Sequence, residues 1–262
     1  MPLTGSLKTL LLRGLLAGLI AGLLAATVGY FVGEPQVDAA IAIEEAAAAP
    51  ADHPHEAAEP QGHSHGGEEE PLVSRTGQKA GQFLALGLAG MAFGALFASA
   101  VNIARRFTTL SGVALSLASA GFAWAAIVAV PFFKYPANPP AVGDPETINN
   151  RTWLWVAAVV LGLLAVAASV AAYRALAGQL DTLRLIAGVL AFVLVTTVGY
   201  VLLPGVNEVA DDFPATLLWN FRVASLAETT TLWVALGLAF AALTEFTSRR
   251  STPVAGQVAT AG

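Results

Sequence analysis

Six long apolar runs separated by short polar segments constrain this chain more than any other feature. They fall at roughly Leu10–Val32, Gly81–Ile103, Leu110–Phe133, Trp153–Tyr173, Leu183–Leu203 and Val223–Leu243. Each is near the ~20 residues that carry an α-helix across a hydrocarbon core of about 30 Å. That core offers no water to backbone N–H and C=O groups, so only helices or closed barrels cross it. These runs are too long and continuous for barrel strands, whose hydrophobicity alternates. Only 12% of the residues are charged, half the roughly 25% of a soluble domain. The expected fold is all-α: a polytopic transmembrane bundle of about six spans. The first run has a second reading as a secretory signal, because Lys8 and Arg13 precede it and "AIA" at 40–42 resembles a cleavage site. Its charge-free stretch Gly14–Val32 exceeds the roughly 7–15 apolar residues of such signals, which favours a retained helix.

Alternation assigns each polar segment to a side. Lys8, Arg13, Arg105, Arg106, Arg174, Arg184, Arg249 and Arg250 fall on one side, and Arg75, Lys79, Lys134, Arg151 and Arg222 on the other. The bias of short basic segments toward the cytoplasm makes the first side internal, with both termini inside. Ten of the eighteen acidic residues lie in 34–70, on the outer side. Tyr30, Phe31, Phe132, Phe133, Tyr135, Trp153, Trp155, Tyr200 and Trp219 cluster at the outer boundary and fit an interfacial belt. The chain then divides into a first transmembrane helix (1–33), an extracytoplasmic acidic, His-containing flexible segment (34–80), a five-helix region (81–246) and a disordered cytoplasmic tail (247–262). Gly14, Gly18 and Gly22 recur every four residues, as do Gly90, Gly94, Ala98 and Asn102. Such stripes let helix backbones approach closely, so a packing seam is expected, with Asn102 at its polar end a weaker candidate for a substrate route.

Several chemistries are excluded. With no cysteine there is no disulfide, thiolate metal site, iron–sulfur cluster or Cys nucleophile. No phosphate-binding G-x-x-x-x-G-K-[ST], no G-x-S-x-G and no H-E-x-x-H occurs, and no span holds a histidine. There is no basic patch for nucleic acid. No enzyme and no permanently bound cofactor is expected. An enzyme reading survives only as an outer Asp/Glu site acting on a lipid-linked substrate.

Three groups of residues remain. All four histidines, His53, His55, His63 and His65, lie in "ADHPHEAAEPQGHSHGGEEE" as two His-x-His pairs, with Asp52, Glu56 and Glu68–Glu70 around them. Neutral imidazole suits Co, Ni, Cu and Zn, and the carboxylates add oxygen donors and negative potential. Ordering such a segment around an ion costs conformational entropy, which suits loose collection and handover. The plain alternative is a solvated acidic linker. The second candidate, Glu228 in "FRVASLAETTTLW", interrupts the sixth run near its outer edge. An intramembrane carboxylate is costly and marks function by default; the alternative is an interfacial residue paired with Arg222. The third group lies in the two outer loops, with Asn138, Asp144, Glu146, Asn207, Glu208, Asp211 and Asp212. Together they suit an acidic cation mouth, and singly they suit helix caps, Asp212 or Asn220 among them. The expected metal set is His53, His55, His63, His65, Glu228, Glu208, Asp211, Asp212 and Asp144.

Those loops also carry a resemblance. "PFFKYPANPPAVGDPETI" followed by "RT", and "LPGVNEVADDFPATLLWNFRVASL" followed by "LW", resemble the CbtA family of predicted cobalt transporter subunits. The six-span layout and a histidine-rich outer insertion after the first span are similar too. The resemblance covers nearly the whole chain, most specifically 131–152 and 203–233. It implies multi-pass residence in a bacterial inner membrane and import of cobalt for cobalamin production. It also implies a small His-rich single-span partner resembling CbtB. Co²⁺ is then the expected cargo, with Ni²⁺ or Zn²⁺ as alternatives. A rival from another class is a membrane-anchored metal-binding or sensing protein that does not itself transport.

Overall fold

A computed structural model describes residues 3–48 and 73–250, and all regular structure among them is helical. The elements are α1 (Leu7–Val28), a π-helical segment (Gly29–Gly33), α2 (Glu34–Ala48), α3 (Arg75–Ala104), α4 (Gly112–Trp124), a second π segment (Ala125–Ala129), α5 (Val130–Lys134), α6 (Ile148–Ala175), α7 (Asp181–Leu202) and α8 (Ala215–Arg250). Single 3-10 turns at Arg105–Phe107 and Pro145–Thr147 follow α3 and precede α6. The six apolar runs correspond to six helical spans of sufficient length and hydropathy to cross a membrane.

Local sequence explains where the helices start. The Ser6, Ser74 and Ser111 hydroxyls accept the backbone N–H groups of Thr9, Gly77 and Ala114 at 3.3, 3.2 and 3.2 Å, each satisfying one orphan donor of a first turn. α8 begins at Ala215 directly after Pro214, so neither Asp212 nor Asn220 caps it. Both π segments lie just ahead of a proline inside a helix, Pro35 and Pro131. Proline lacks the N–H for the carbonyl four residues back, and its ring collides with that carbonyl. Widening the turn relieves the collision and lets the helix continue. The first span therefore does not stop near residue 33, as its sequence suggested. It runs through the π segment to Ala48, and the second starts at Arg75.

α1 and α3 form the closest pair, antiparallel along the two glycine stripes. A Cβ on Gly18 would sit 2.7 Å from the Gly90 carbonyl carbon, and one on Gly22 2.8 Å from that of Leu86. The stripes are thus the packing seam. Within a bilayer, apolar side chains gain nothing by leaving lipid for protein, so association relies on such close backbone contact. α8 lies against both α1 and α4 and fills the centre with Leu232, Trp233, Leu236 and Phe240. Phe240 meets Phe97 edge to face at 5.4 Å, and Trp233 meets Phe93 at 5.8 Å. α6 rests on the second π segment, where Gly162 admits the Ala126 backbone; a Cβ there would lie 2.8 Å from the Ala126 carbonyl carbon. α7 packs chiefly on α6 and is otherwise exposed, with Leu185, Val189, Leu190 and Leu194 facing outward.

The bundle has two unlike ends. At the terminal end, Gly112 lies against Leu3 and Thr244. Arg105 donates to the Gly5 carbonyl at 3.0 Å, and Arg174 to that of Phe107 at 2.7 Å. The loop end carries α2, the start of α3, and the segments 135–147 and 203–214.

Candidate functional site

At the loop end the segments following α5 and α7 are fastened together. Tyr135 donates its hydroxyl to the Pro204 carbonyl at 2.8 Å, and Lys134 donates to that of Tyr200 at 2.9 Å. Glu208 is the clasp: one carboxylate oxygen accepts the Thr147 hydroxyl at 2.7 Å, the other the Asp144 backbone N–H at 2.9 Å. Arg151 Nε stands 3.4 Å from Glu208 and its guanidinium also donates to the Asp144 carbonyl at 3.1 Å. The Thr147 hydroxyl, the Asp144 N–H and the Arg151 charge together hold the Glu208 carboxyl below the usual carboxylate range. The Asp144 side chain caps the following 3-10 turn through the Glu146 N–H at 2.8 Å. Gly143, at φ +117°, makes the turn possible, and a Cβ there would press on the Arg151 guanidinium carbon at 2.9 Å.

Beneath this clasp lies a cavity of about 560 Å³ reaching down to Ile127 and Val128 of the second π segment and to Ser225 and Thr229 of α8. Its polar lining includes Asn138, Asn207, Glu208, Arg151 and Arg222. Arg222 does not pair with Glu228. It donates to the Ala137 carbonyl at 3.3 Å and to Asn138 Oδ1 at 2.9 Å. The loop carboxylates are therefore not equivalent. Glu208 lines the cavity with both oxygens engaged, Asp144 shapes the turn beside it, and Asp211 and Asp212 are exposed on their loop. Among the described residues, no three His, Asp or Glu side chains converge as a metal-holding group. His53, His55, His63 and His65 lie outside the described residues.

Glu228 sits on another side of α8. It is half-buried against α1 at Gly29, the first residue of the π segment. A Cβ on Gly29 would lie 3.0 Å from the Glu228 carboxyl carbon and closer still to one of its oxygens and to Gln82 Nε2. α2, whose first residue is Glu34, also packs against α8. Glu34 is itself paired with Arg75 and stands 3.8 Å from Lys79, which holds Asp38 at 2.7 Å. Among the described residues Glu228 has no ion pair. Sequence reading found Glu228 but not Gln82 or Glu34. A polar residue at the head of the second run and a Glu-Pro after the first were the available signals. Trp124 marks the same level across α8, donating its indole N–H to Thr230 at 2.9 Å.

No curated protein and no solved structure matches the chain. The family described as "Probable cobalt transporter subunit (CbtA)" matches residues 7–245. With six apolar helices, the last of which carries a half-buried carboxylate, and that match spanning nearly all of them, the chain belongs to the CbtA family of probable cobalt transporter subunits.

Proposed function

We propose that this chain imports a divalent transition metal, Co²⁺ foremost, with Glu228 as the carboxylate that receives the partly dehydrated ion inside the membrane. The observation that carries this reading is Glu228 itself: a half-buried carboxylate in a membrane helix with no cationic partner among the described residues, Arg222 being committed to the 135–147 segment. In this reading the loop end faces outward from a bacterial inner membrane and both termini face the cytoplasm. The paired histidines His53/His55 and His63/His65 collect the ion. Asp211, Asp212, Asp144 and Glu208 supply the negative approach, the last two also clasping the loops. A small His-rich single-span subunit of the CbtB kind completes the transporter. Ni²⁺ and Zn²⁺ are the competing cargoes.

Uptake of Co²⁺, Ni²⁺, Zn²⁺ and Mn²⁺ in cells expressing the chain, with and without such a partner, tests the reading. Glu228→Gln keeps size and hydrogen bonding but removes charge, so uptake should fall at every metal concentration at matched expression. Equal uptake by variant and wild type removes Glu228 from the route. Deleting residues 50–70 should weaken uptake only at low external metal. Because the chain has no cysteine, single cysteines at 60 and 255 report topology through a membrane-impermeant maleimide. Labelling at 255 but not 60 on intact cells would overturn the orientation.

A further inference from the structure

The cavity beneath the loop clasp carries hydrogen-bond donors that its own acceptors leave unused. Its volume, about 560 Å³, is that of a pocket for a small organic molecule. Three charged side chains line it, and two of them, Arg151 and Arg222, are cationic against the single carboxylate of Glu208. Both Glu208 oxygens already accept, one from the Thr147 hydroxyl and one from the Asp144 N–H. The amide oxygens of the lining are engaged too. Asn138 Oδ1 accepts from Arg222 at 2.9 Å, and Asn207 Oδ1 from the Val209 N–H at 3.4 Å. The donors are not used up in return. Arg151 Nε is buried and donates to no acceptor, although Glu208 stands 3.4 Å away. Arg222 gives Nε to the Ala137 carbonyl and Nη2 to Asn138, both neutral groups. Among the described residues nothing engages its Nη1, and no carboxylate pairs with it. A guanidinium keeps its charge and carries five N–H donors. Arg222 stands near the start of α8 inside the sixth span, where an uncompensated charge is costly. The rest of the lining is largely apolar, with Ile127, Val128, Phe132 and Trp155 among it.

We propose that this cavity binds an amphiphilic anion, its phosphate head on Arg222 and its apolar part against Ile127, Val128, Phe132 and Trp155. Phosphate oxygens accept the parallel N–H bonds that a guanidinium fork offers, and they supply the negative charge that Arg222 lacks. The composition of the outer loops suggested a mouth for cations, whereas the lining that the fold assembles suits an anion. Two sources share this chemistry: an anionic phospholipid, whose head group lies near the end of a span, and a free phosphate from water. The site is on another side of α8 from Glu228 and does not rest on the transport reading.

The test uses the full chain in a nonionic detergent. Native mass spectrometry counts bound phosphatidylglycerol or phosphatidylcholine, whose choline cancels the phosphate charge, and equilibrium dialysis follows radiolabelled inorganic phosphate. One phosphatidylglycerol per chain is expected at concentrations where phosphatidylcholine is not retained. Asn138→Asp keeps the contact to Arg222 but gives it a carboxylate of its own, so Kd should rise about tenfold or more. Arg222→Gln should weaken binding as well, and Asn138→Asp decides where that variant does not fold. Arg106→Gln removes the same charge from an exposed position at the terminal end and should change nothing. Displacement of the lipid by inorganic phosphate would assign the site to the free anion, and failure to displace it would assign the site to the lipid. Asn138→Asp binding like its parent, Arg106→Gln losing as much, or a parent that retains neither phosphatidylglycerol nor phosphate overturns the site.

Discussion

Gly18→Ala tests how much of the bundle depends on the α1–α3 seam. The added methyl would meet the Gly90 carbonyl carbon at 2.7 Å, where ordinary contact begins at 3.4 Å, with the carbonyl oxygen closer still. Backbone cannot swing aside as a side chain can, so the helices must part by at least ~0.7 Å. A gap of 0.5–1 Å forfeits a quarter to a half of the dispersion energy across a contact. The seam runs from Gly14 to Gly22 on one helix and from Gly94 to Leu86 on the other, so the loss extends over two turns. Overpacking of this kind costs about 1–3 kcal/mol, while alanine regains up to about 1 kcal/mol of helix propensity. A net loss of about 1–2 kcal/mol is expected. Gly121→Ala is the control, because nothing lies within 4 Å of its would-be Cβ; it should be neutral or stabilising. Thermal unfolding of both variants in the same detergent, followed by size-exclusion fluorescence, gives the comparison. Gly18→Ala as stable as wild type, or both variants losing equally, would refute the claim that backbone contact holds α1 to α3.

Trp124→Phe and Thr230→Val should each cost about 1 kcal/mol, the value of one hydrogen bond. The double variant should cost much less than their sum, since both remove the same 2.9 Å contact; additive losses would show that the bond contributes little. Acid should open the loop clasp. The Glu208 carboxyl is held low by Thr147, Asp144 and Arg151, so its contribution is complete above the ordinary glutamate value of about 4.3 and disappears as pH falls through its lower folded value. Protection of the Asp144, Glu146 and Thr147 amides against hydrogen exchange, relative to the intrinsic rate at each pH, should therefore fall between pH 6 and pH 3, and Glu208→Gln should already be loose at pH 6; unchanged protection in both refutes the clasp. A peptide spanning 50–70 should bind Co²⁺, Ni²⁺ or Zn²⁺ near pH 7.5 with roughly micromolar strength and release it in mild acid, because protons compete for imidazoles that titrate near ~6.5. No calorimetric heat at pH 7.5 would reduce the segment to a linker.

The number of spans and the packing seam were legible in the sequence because both depend on one-dimensional regularities. Twenty apolar residues suffice to cross the hydrocarbon core as a helix, and the four-residue spacing of Gly14, Gly18 and Gly22 puts them on one helix face wherever that face points. Glu228 was legible for the same reason, as a charge inside an apolar run. Its partners were not. Whether Arg222 reaches Glu228 or the Ala137 carbonyl depends on which side of α8 each faces and on what packs there, and the 135–147 segment occupied the guanidinium. Asp144, Glu208, Asp211 and Asp212 looked alike as loop carboxylates. Only the tertiary arrangement gave Glu208 three partners and left Asp211 and Asp212 in solvent, because the partner groups had to converge from α6 and the 135–147 segment onto a residue of the other loop. Pro35 and Pro131 were visible as helix-breaking residues, but propensity alone does not say whether a helix ends, kinks or widens. The structure shows widening at both, and the five-residue step of the first π turn brings the Glu34 N–H onto the Gly29 carbonyl.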